Sequence, residues 1–376
     1  MKRILLIPKN WGYGYAYGVQ YFTDALKKLG FSVVMGMPTD SMDPVNAIID
    51  TEYPGFTSTE SIEKWKEYAP VYLKTDFEAY PLPPEFFDAL NKYDGVIVHS
   101  EYEKYLFRVS GATEEQLSKI VILHHPVTYD FKNLTKDSYR ESLDIDKGNY
   151  VIGVIGSPTI RKGFAEDYIA YMNAFADNAN EFAKKVTLLY RPSPYPQFVE
   201  SGKQIFAMIK ALKLQSKSPL PVKVISDANF DVIKFYNTIN ALLSLHHSEG
   251  YGLPLAEASV LGKQVIATAY SGNVDFMSTN TSYLVPAVPA YNIDPYFKYT
   301  PYQQWADPIL PAAAELIRTA YEDFVKGTPK LNKEFYMEHY DRALMEIESF
   351  VKSNSPRKTK STDKNVTKIT DRLIEL

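Results

Sequence analysis

Short apolar segments alternate with segments of helical periodicity along most of this 376-residue chain. Residues 3–8 form a strand-like apolar run, and residues 17–29 place apolar side chains on one helical face. This alternation predicts α/β layers built on parallel sheets, because a crossover helix joins each parallel strand to the next. The chain is long enough for two domains, and its 45% apolar content is sufficient for their cores.

The alternating pattern falls into two series that are separated by a polar, turn-rich segment. We predict a linker at residues 131–149, between a first domain (1–130) and a second domain (150–332). A last amphipathic helix is predicted over 333–351, followed by a polar tail over 353–376. Segments 39–70 and 286–305 are predicted to be irregular. Predicted strands lie at residues 3–8, 31–35, 95–98, 120–123, 150–155, 186–190, 222–225, 241–245, 264–267 and 283–285.

Composition excludes several classes of protein. The net charge of −4 gives no reason to expect nucleic-acid binding, and the absence of cysteine excludes disulfides and thiolate metal sites. No uninterrupted apolar stretch approaches the ~18 residues that a membrane span needs. The start of the chain does not have the pattern of a secretory signal peptide. We therefore expect a cytoplasmic protein, with peripheral contact to a membrane surface left open.

One nine-residue stretch carries the clearest functional pattern. It begins at Glu249 and ends at Glu257, with glycines at positions 250 and 252 and a proline at 254. Glycines allow a tight turn that brings backbone amides close to a ligand. The N-terminus of the short helix that follows presents unpaired amides and a positive dipole end, which suit a phosphate group. The stretch therefore predicts a sugar-nucleotide site flanked by two carboxylates.

The same stretch resembles a known family signature. Ser248-Glu249-Gly250-Tyr251-Gly252-Leu253-Pro254, then Glu257-Ala258 and residues 262–268, resemble the paired-glutamate signature of retaining GT-B glycosyltransferases of the glycosyltransferase group 1 (family 4) class. The resemblance implies two Rossmann-like parallel-sheet domains that face a central cleft. It also implies that the helix at 333–352 packs back on the first domain.

The resemblance assigns separate roles to the two glutamates. Glu257 would bind the nucleotide ribose hydroxyls, because a carboxylate accepts two vicinal O–H donors well. Glu249 would contact the donor sugar and belong to the catalytic group. Without the resemblance, Glu257 would be explained as a carboxylate that stabilises a helix N-terminus, and Glu249 as a solvated acid in a loop. Further donor-binding positions implied here are Gly250, Tyr251, Gly252 and Leu253.

A second motif, Gly156-Ser157-Pro158-Thr159-Ile160-Arg161-Lys162-Gly163, follows the predicted strand at 150–155. It resembles the phosphate-binding segment of the family, in which the lysine neutralises the diphosphate leaving group. The family usually has arginine where this chain has Ser157. Our hypothesis is that Arg161 supplies the missing charge, so that Arg161 and Lys162 are catalytic and Ser157 binds the donor. The alternative is an ordinary basic turn.

Two segments of the first domain complete the predicted site. The loop that holds Gly12 and Gly14 would face the donor, although a flexible connector explains it equally well. Asp76 and Glu78 would face the acceptor, where a carboxylate can orient or deprotonate a hydroxyl group. Surface acids are the alternative for these two. His99 is a further acceptor candidate, with a structural role as its alternative.

The adjacent histidine pairs at 124–125 and 246–247 lie at predicted strand ends. Neighbours on a strand point to opposite faces, and we see no third ligand at a suitable spacing. We therefore predict no metal site and no cofactor.

These features together predict transfer of a hexosyl unit from a nucleoside diphosphate sugar to an acceptor hydroxyl, with retention of configuration. The acceptor is left open between a glycan, a lipid and a small molecule, and a homo-oligomer is possible. Two alternatives remain. One is a non-catalytic sugar-nucleotide-binding protein of the same fold, and the other is a sugar-nucleotide epimerase.

Overall fold

The computed structural model describes residues 2–7, 13–129, 137–193, 196–225, 230–293 and 299–357. The first half of the chain forms a six-stranded parallel sheet with the strand order β2-β1-β3-β4-β5-β6. Its strands are β1 (Arg3–Ile7), β2 (Ser32–Met35), β3 (Ala47–Asp50), β4 (Val71–Lys74), β5 (Gly95–Val98) and β6 (Ile120–Ile122). The helices between them are α1 (Tyr13–Lys28), α2 (Thr59–Lys66), α3 (Pro84–Lys92), α4 (Glu101–Val109) and α5 (Glu114–Ser118).

The second half repeats this architecture with a second six-stranded parallel sheet, in the order β12-β11-β10-β7-β8-β9. Its strands are β7 (Tyr150–Gly156), β8 (Val186–Pro192), β9 (Val222–Val224), β10 (Ala241–Ser244), β11 (Gln264–Thr268) and β12 (Tyr283–Val285). A separate antiparallel hairpin consists of β13 (Ala287–Tyr291) and β14 (Gln304–Pro308). The helices of this half are α6 (Phe164–Ala174), α7 (Ala179–Phe182), α8 (Pro196–Ser216), α9 (Val232–Thr238), α10 (Leu253–Val260), α11 (Leu310–Lys326) and α12 (Lys333–Ser353).

The predicted fold class, two parallel-sheet α/β layers, is confirmed. The central strands are covered on both faces, so they consist of continuous apolar runs instead of alternating ones. Every residue of β3, β5 and β11 is buried. Within the described ranges, no helix is long and apolar enough to cross a membrane.

Three local predictions were wrong. Residues 39–70 contain β3 and α2; the strand is only four residues long, and Ser58 caps the helix by accepting a hydrogen bond from the Ser61 amide. Residues 286–305 contain β13 and the start of β14, because an isolated hairpin tolerates Pro289 where a central strand would not. The first helix begins at Tyr13 instead of residue 17.

Helix α12 contacts both halves of the molecule. Near its start, Tyr336 and Tyr340 lie in the apolar cluster of the second half. Near its end, Ile347 and Phe350 lie in a cluster with β1 and α1. The residue that follows the helix also contacts the first half, since the Asn46 side-chain amide donates a hydrogen bond to the Asn354 carbonyl at 3.0 Å. The polar tail predicted from residue 353 is therefore packed at its beginning; residues 358–376 lie outside the described ranges.

A charged histidine joins the two halves to α12. Nδ1 of His124, just after β6, lies 2.9 Å from a carboxylate oxygen of Glu346 in α12. Nε2 of the same ring lies 3.2 Å from Asp275, which belongs to the second half. Because both ring nitrogens face carboxylates, both carry a proton. Burial disfavours the imidazolium form, but the two carboxylates outweigh burial and raise the pKa of His124 to about 9.

This junction predicts a pH dependence of stability. The pKa of His124 rises on folding from 6.5 to about 9, so its contribution is fully present below pH 6.5 and is lost as the pH rises through about 9. The shift corresponds to about 3 kcal/mol of unfolding free energy.

Urea unfolding at pH 6.5, 8 and 9.5 should show this decline in unfolding free energy in the wild type but not in His124→Gln. Lys263, whose pKa burial lowers to about 8, titrates in both proteins, so the difference between them isolates His124. Equal pH slopes would contradict the assignment.

Candidate functional site

The loop before α10 is built around backbone geometry that suits glycine. Gly252 has a φ of +96° and immediately precedes the helix, and Pro254 lies in the first helical turn. A β-carbon on Gly250 would lie 2.8 Å from a carboxylate oxygen of Glu103, so side chains of the first half press directly on this loop. The helix N-terminus predicted from the sequence is therefore present, and it lies at the contact between the two halves.

Two residues of this loop that were predicted to bind the donor pack their side chains against the core, so these side chains present little surface to a ligand. Tyr251 is 3% exposed and packs in the core, where its hydroxyl donates to the His125 carbonyl at 2.9 Å. Leu253 packs against the same core cluster and opens α10. A ligand at this loop would meet mainly the backbone of residues 250–253.

Glu249 is the centre of a buried ion cluster. Lys162 contacts one of its carboxylate oxygens, and Arg161 lies 3.3 Å from the other. Burial alone would raise the pKa of this carboxyl group, but the two cations outweigh burial and lower it to about 2. Glu249 is therefore ionised at neutral pH. The sequence predicted these three residues for one site, and the fold brings them into contact.

Arg161 also reaches across to the first half. Its guanidinium lies 3.5 Å from a carboxylate oxygen of Glu78 and donates to the Ser248 carbonyl at 2.7 Å. Burial opposes its charge, but Glu78, Tyr299 and Glu249 outweigh burial and raise the pKa of Arg161 above its usual range. Glu78, which the sequence predicts for the acceptor site, thus contacts Arg161, which the sequence predicts for the donor site.

The segment that carries Lys162 is held close to β10. Residues Ile160–Lys162 form a 3₁₀ turn, and Gly163 follows with a φ of +69°. A β-carbon on Gly163 would lie 2.0 Å from the Leu245 carbonyl oxygen. Ser157, whose carbonyl accepts from the Thr159 amide at 2.8 Å, stands before this turn. The close contact at Gly163 explains why glycine must follow the lysine.

Ser271 supports Glu249 from the opposite side, a contact that sequence reasoning missed. Its hydroxyl accepts a hydrogen bond from the Glu249 amide at 2.7 Å. The Glu249 carbonyl in turn accepts from the Gly272 amide at 2.9 Å. Ser271 adopts a φ of +76°, which a residue with a side chain rarely takes up.

Glu257 is enclosed by tyrosines. The Tyr21 hydroxyl, from α1, donates to one carboxylate oxygen at 2.8 Å, and the Tyr236 hydroxyl, from α9, donates to the other at 2.7 Å. Burial raises the pKa of Glu257, and these hydrogen bonds partly oppose the rise. Two hydroxyl groups therefore occupy the carboxylate to which the resemblance assigns the ribose. No local pattern could identify Tyr21, because it lies 236 positions from Glu257 along the chain.

The remaining candidates lie in the first half. Gly14 is in the first turn of α1 instead of a loop, and Gly12 lies outside the described residues. Asp76 and His99 lie next to each other, with His99 Nε2 3.9 Å from an Asp76 oxygen. Thus Asp76, Glu78 and His99 all lie on the side of the first half that meets the Glu249 loop.

The two histidines of a pair were predicted not to bind one metal together, and this stays a prediction. Within a pair, the rings do face different surroundings, since His124 contacts Glu346 while His125 stacks on His99 with ring centroids 3.9 Å apart. His125 therefore combines with His99 and Asp76, and one potential ligand atom from each lies within 4.8 Å of those of the other two. These residues follow three different strands, so no sequence spacing could reveal the group.

No protein-family model matches the sequence, and no curated protein matches it either. Among solved structures, the chain is similar to sucrose-phosphate synthase from Thermosynechococcus elongatus, with a TM-score of 0.64, 16% identity and coverage of 94% of this chain and 99% of that one. It is also similar to Anabaena HepE in complex with UDP and glucose (TM-score 0.61, 13% identity, coverage 94% and 100%). A third similar structure is a trehalose-6-phosphate synthase from work on glycosyl transfer with retention (TM-score 0.60, 12% identity, coverage 94% and 100%). At such identities the likeness establishes the fold, and the fold of this chain is that of the GT-B glycosyltransferases.

Proposed function

We propose that this protein is a glycosyltransferase that moves a hexosyl unit from a nucleoside diphosphate sugar to an acceptor hydroxyl, with retention of configuration. The observation that carries the proposal is the buried cluster of Lys162, Arg161 and Glu249 beside the N-terminus of α10. Two cations and a helix N-terminus at one point are a site for a diphosphate. In the GT-B fold this point faces the cleft between the two halves.

The donor diphosphate would compete with carboxylates for the two cations. Glu78 and Glu249 neutralise Arg161 and Lys162 in the state described here. A diphosphate brings more charge than one carboxylate, and its oxygens accept hydrogen bonds from the amides at the start of α10 as well. Glu249 would then turn toward the sugar. UDP is the first nucleotide to test, because the similar HepE structure contains UDP and glucose.

The ribose would bind at Glu257, which requires movement of Tyr21. This tyrosine belongs to the first half, whereas Tyr236 and Glu257 belong to the second. Separation of the two halves would withdraw Tyr21 and also break the contact between Glu78 and Arg161. Binding of the donor is therefore coupled to opening, and the halves close again around both substrates to exclude water.

The chemical step would depend on stabilisation of the leaving group. Bond cleavage places negative charge on the diphosphate, and Lys162 and Arg161 lie where a metal ion would otherwise act. We assign no protein nucleophile, and no metal at the diphosphate. Domains of residues 1–130 and 150–332, joined by the segment 131–149, would carry the acceptor and the donor respectively.

A second candidate is a non-catalytic sugar-nucleotide-binding protein. Ser157 stands where the family usually has arginine, and Tyr21 and Tyr236 satisfy Glu257 without any ligand. The two candidates differ in their products. Radiolabelled UDP-, GDP- and ADP-sugars, incubated with and without a broad acceptor panel, give slow donor hydrolysis or transfer for the enzyme. Binding without either reaction supports the second candidate.

The ribose assignment gives opposite predictions for two partners in one hydrogen bond. Glu257→Gln should weaken binding of the preferred nucleotide by about 10- to 100-fold, because charge-assisted bonds to the ribose are lost. Tyr21→Phe should tighten binding by about tenfold, since the free protein loses the hydrogen bond that competes for Glu257. Calorimetry measures both, with the exposed Glu181→Gln as a control. Unchanged affinity in Glu257→Gln would remove the ribose from this site.

A further inference from the structure

Three potential metal ligands meet at one edge of the first sheet. Asp76 follows β4, His99 follows β5 and His125 follows β6, and these neighbouring parallel strands bring their carboxyl ends to the same edge. The three ligand atoms lie within 4.8 Å of one another, and both histidines are at least 96% buried. Gly250, in the loop before α10, lies against this group, because a β-carbon there would be 3.7 Å from the Asp76 β-carbon.

His99 is oriented as a metal ligand. Its Nδ1 lies 2.8 Å from the Leu123 carbonyl oxygen, which only accepts hydrogen bonds, so Nδ1 carries the proton. Nε2 therefore presents a lone pair, and it is buried without any hydrogen-bond partner. A buried ring nitrogen without a hydrogen-bond partner is destabilising. Metal-binding histidines typically have this arrangement, with the second ring nitrogen donating to a backbone carbonyl.

The second imidazole lies directly against the first. The ring of His125 stacks on that of His99 with an interplanar angle of 24°.

The surrounding charges favour a cation. Glu103 lies beside the group, because its two carboxyl oxygens accept hydrogen bonds from the Phe77 amide at 3.1 Å and from the His99 amide at 2.6 Å. Asp76 and Glu103 together supply two carboxyl groups against the amine of the buried Lys74.

We propose that Asp76, His99 and His125 bind a divalent transition-metal ion, with Zn²⁺ as the best match. Two imidazoles and one carboxylate are a ligand set of catalytic zinc sites, which keep a fourth position open. Bonds of about 2.0–2.1 Å require ligand atoms about 3.3 Å apart, and His99 Nε2 now lies 3.9 Å from the Asp76 oxygen. Because the three ligand atoms are within 4.8 Å of one another, their side chains would have to rotate toward the ion when it binds. The fourth position would face the Glu249 loop, where an acceptor oxygen can bind.

Direct metal binding tests this site without any assay of glycosyl transfer. Tag-free, chelator-treated wild-type protein should bind one equivalent of Zn²⁺ in calorimetry, and Co²⁺ should give the visible absorption bands of a low-coordinate site. Asp76→Asn and His99→Asn should each weaken Zn²⁺ binding by about 100-fold or more, since a ligand is lost outright. Circular dichroism of the metal-free variants checks their fold.

A matched control is His339→Asn, because His339 is also buried and neither of its ring nitrogens has a hydrogen-bond partner. This variant should keep wild-type Zn²⁺ affinity. The proposal is overturned if the wild type binds no Zn²⁺ at micromolar concentrations, or if Asp76→Asn and His99→Asn bind as tightly as the wild type. Nucleotide binding measured on the same metal-free protein is a separate result, so a failed metal site leaves the proposed transferase function testable.

Discussion

Lys162→Met is expected to lower the kcat of glycosyl transfer by about 10²–10³-fold, the typical loss when one preorganised charge at a leaving group is removed. Lys162 is the closest cation to Glu249, and the turn Ile160–Lys162 holds it in place. Negative charge on the diphosphate grows as the sugar leaves. The loss should therefore fall mainly on kcat, and the KM for the donor should change less.

The matched control is Lys185→Met, which removes an exposed lysine paired with Glu181. Such surface pairs contribute little, so its kcat and stability should stay near those of the wild type. Lys162→Arg should restore part of the activity, because it keeps the positive charge. Thermal unfolding separates loss of the charge from loss of the fold. A Lys162→Met enzyme with kcat within about threefold of wild type would exclude the proposed role in leaving-group stabilisation.

Gly163→Ala is expected to reduce the unfolding free energy by about 3–5 kcal/mol, which approaches the total stability of many domains. The alanine β-carbon would lie 2.0 Å from the Leu245 carbonyl oxygen and 2.6 Å from its carbon. Both atoms belong to the backbone just after β10, so no side-chain rotation relieves the overlap. The strand end or the turn that carries Lys162 must move instead.

Gly262→Ala separates steric overlap from backbone strain. Gly262 has a φ of +67°, almost equal to the +69° of Gly163, but nothing lies within 4 Å of the position of its β-carbon. This control should lose only the ~1–2 kcal/mol that a left-handed conformation costs. Chemical denaturation compares the two variants directly. Equal losses would show that the contact with Leu245 does not constrain position 163.

Patterns that depend on neighbouring residues were predictable from the sequence. The apolar runs of β7, β10 and β11 identify buried parallel strands. Strands β3 and β4 were missed, although β5 and β10 are equally short and were predicted. Strands of this length show no clear periodicity, and their burial depends on the strands on both sides.

The composition of the candidate site was only partly predictable. Glu249, Lys162 and Arg161 were predicted for one site because the two motifs that hold them resemble the donor-binding motifs of the GT-B glycosyltransferases. The contact of Arg161 with Glu78, and that of Tyr21 with Glu257, were not predictable. These contacts join the two halves of the chain. Turn and strand patterns carry no information on how two sheets face each other.

By itself, the sequence determined the two α/β series, the glycine-shaped loop before α10 and the positions of its charged residues, because period and turn chemistry act over a few neighbouring residues. Only the tertiary structure decided which groups meet. It neutralised Glu249 with two cations, enclosed Glu257 between tyrosines and brought Asp76, His99 and His125 together. The physical reason is that adjacent parallel strands, and two facing halves, bring together side chains that are far apart along the chain, such as those of Tyr21 and Glu257, which are separated by 236 positions.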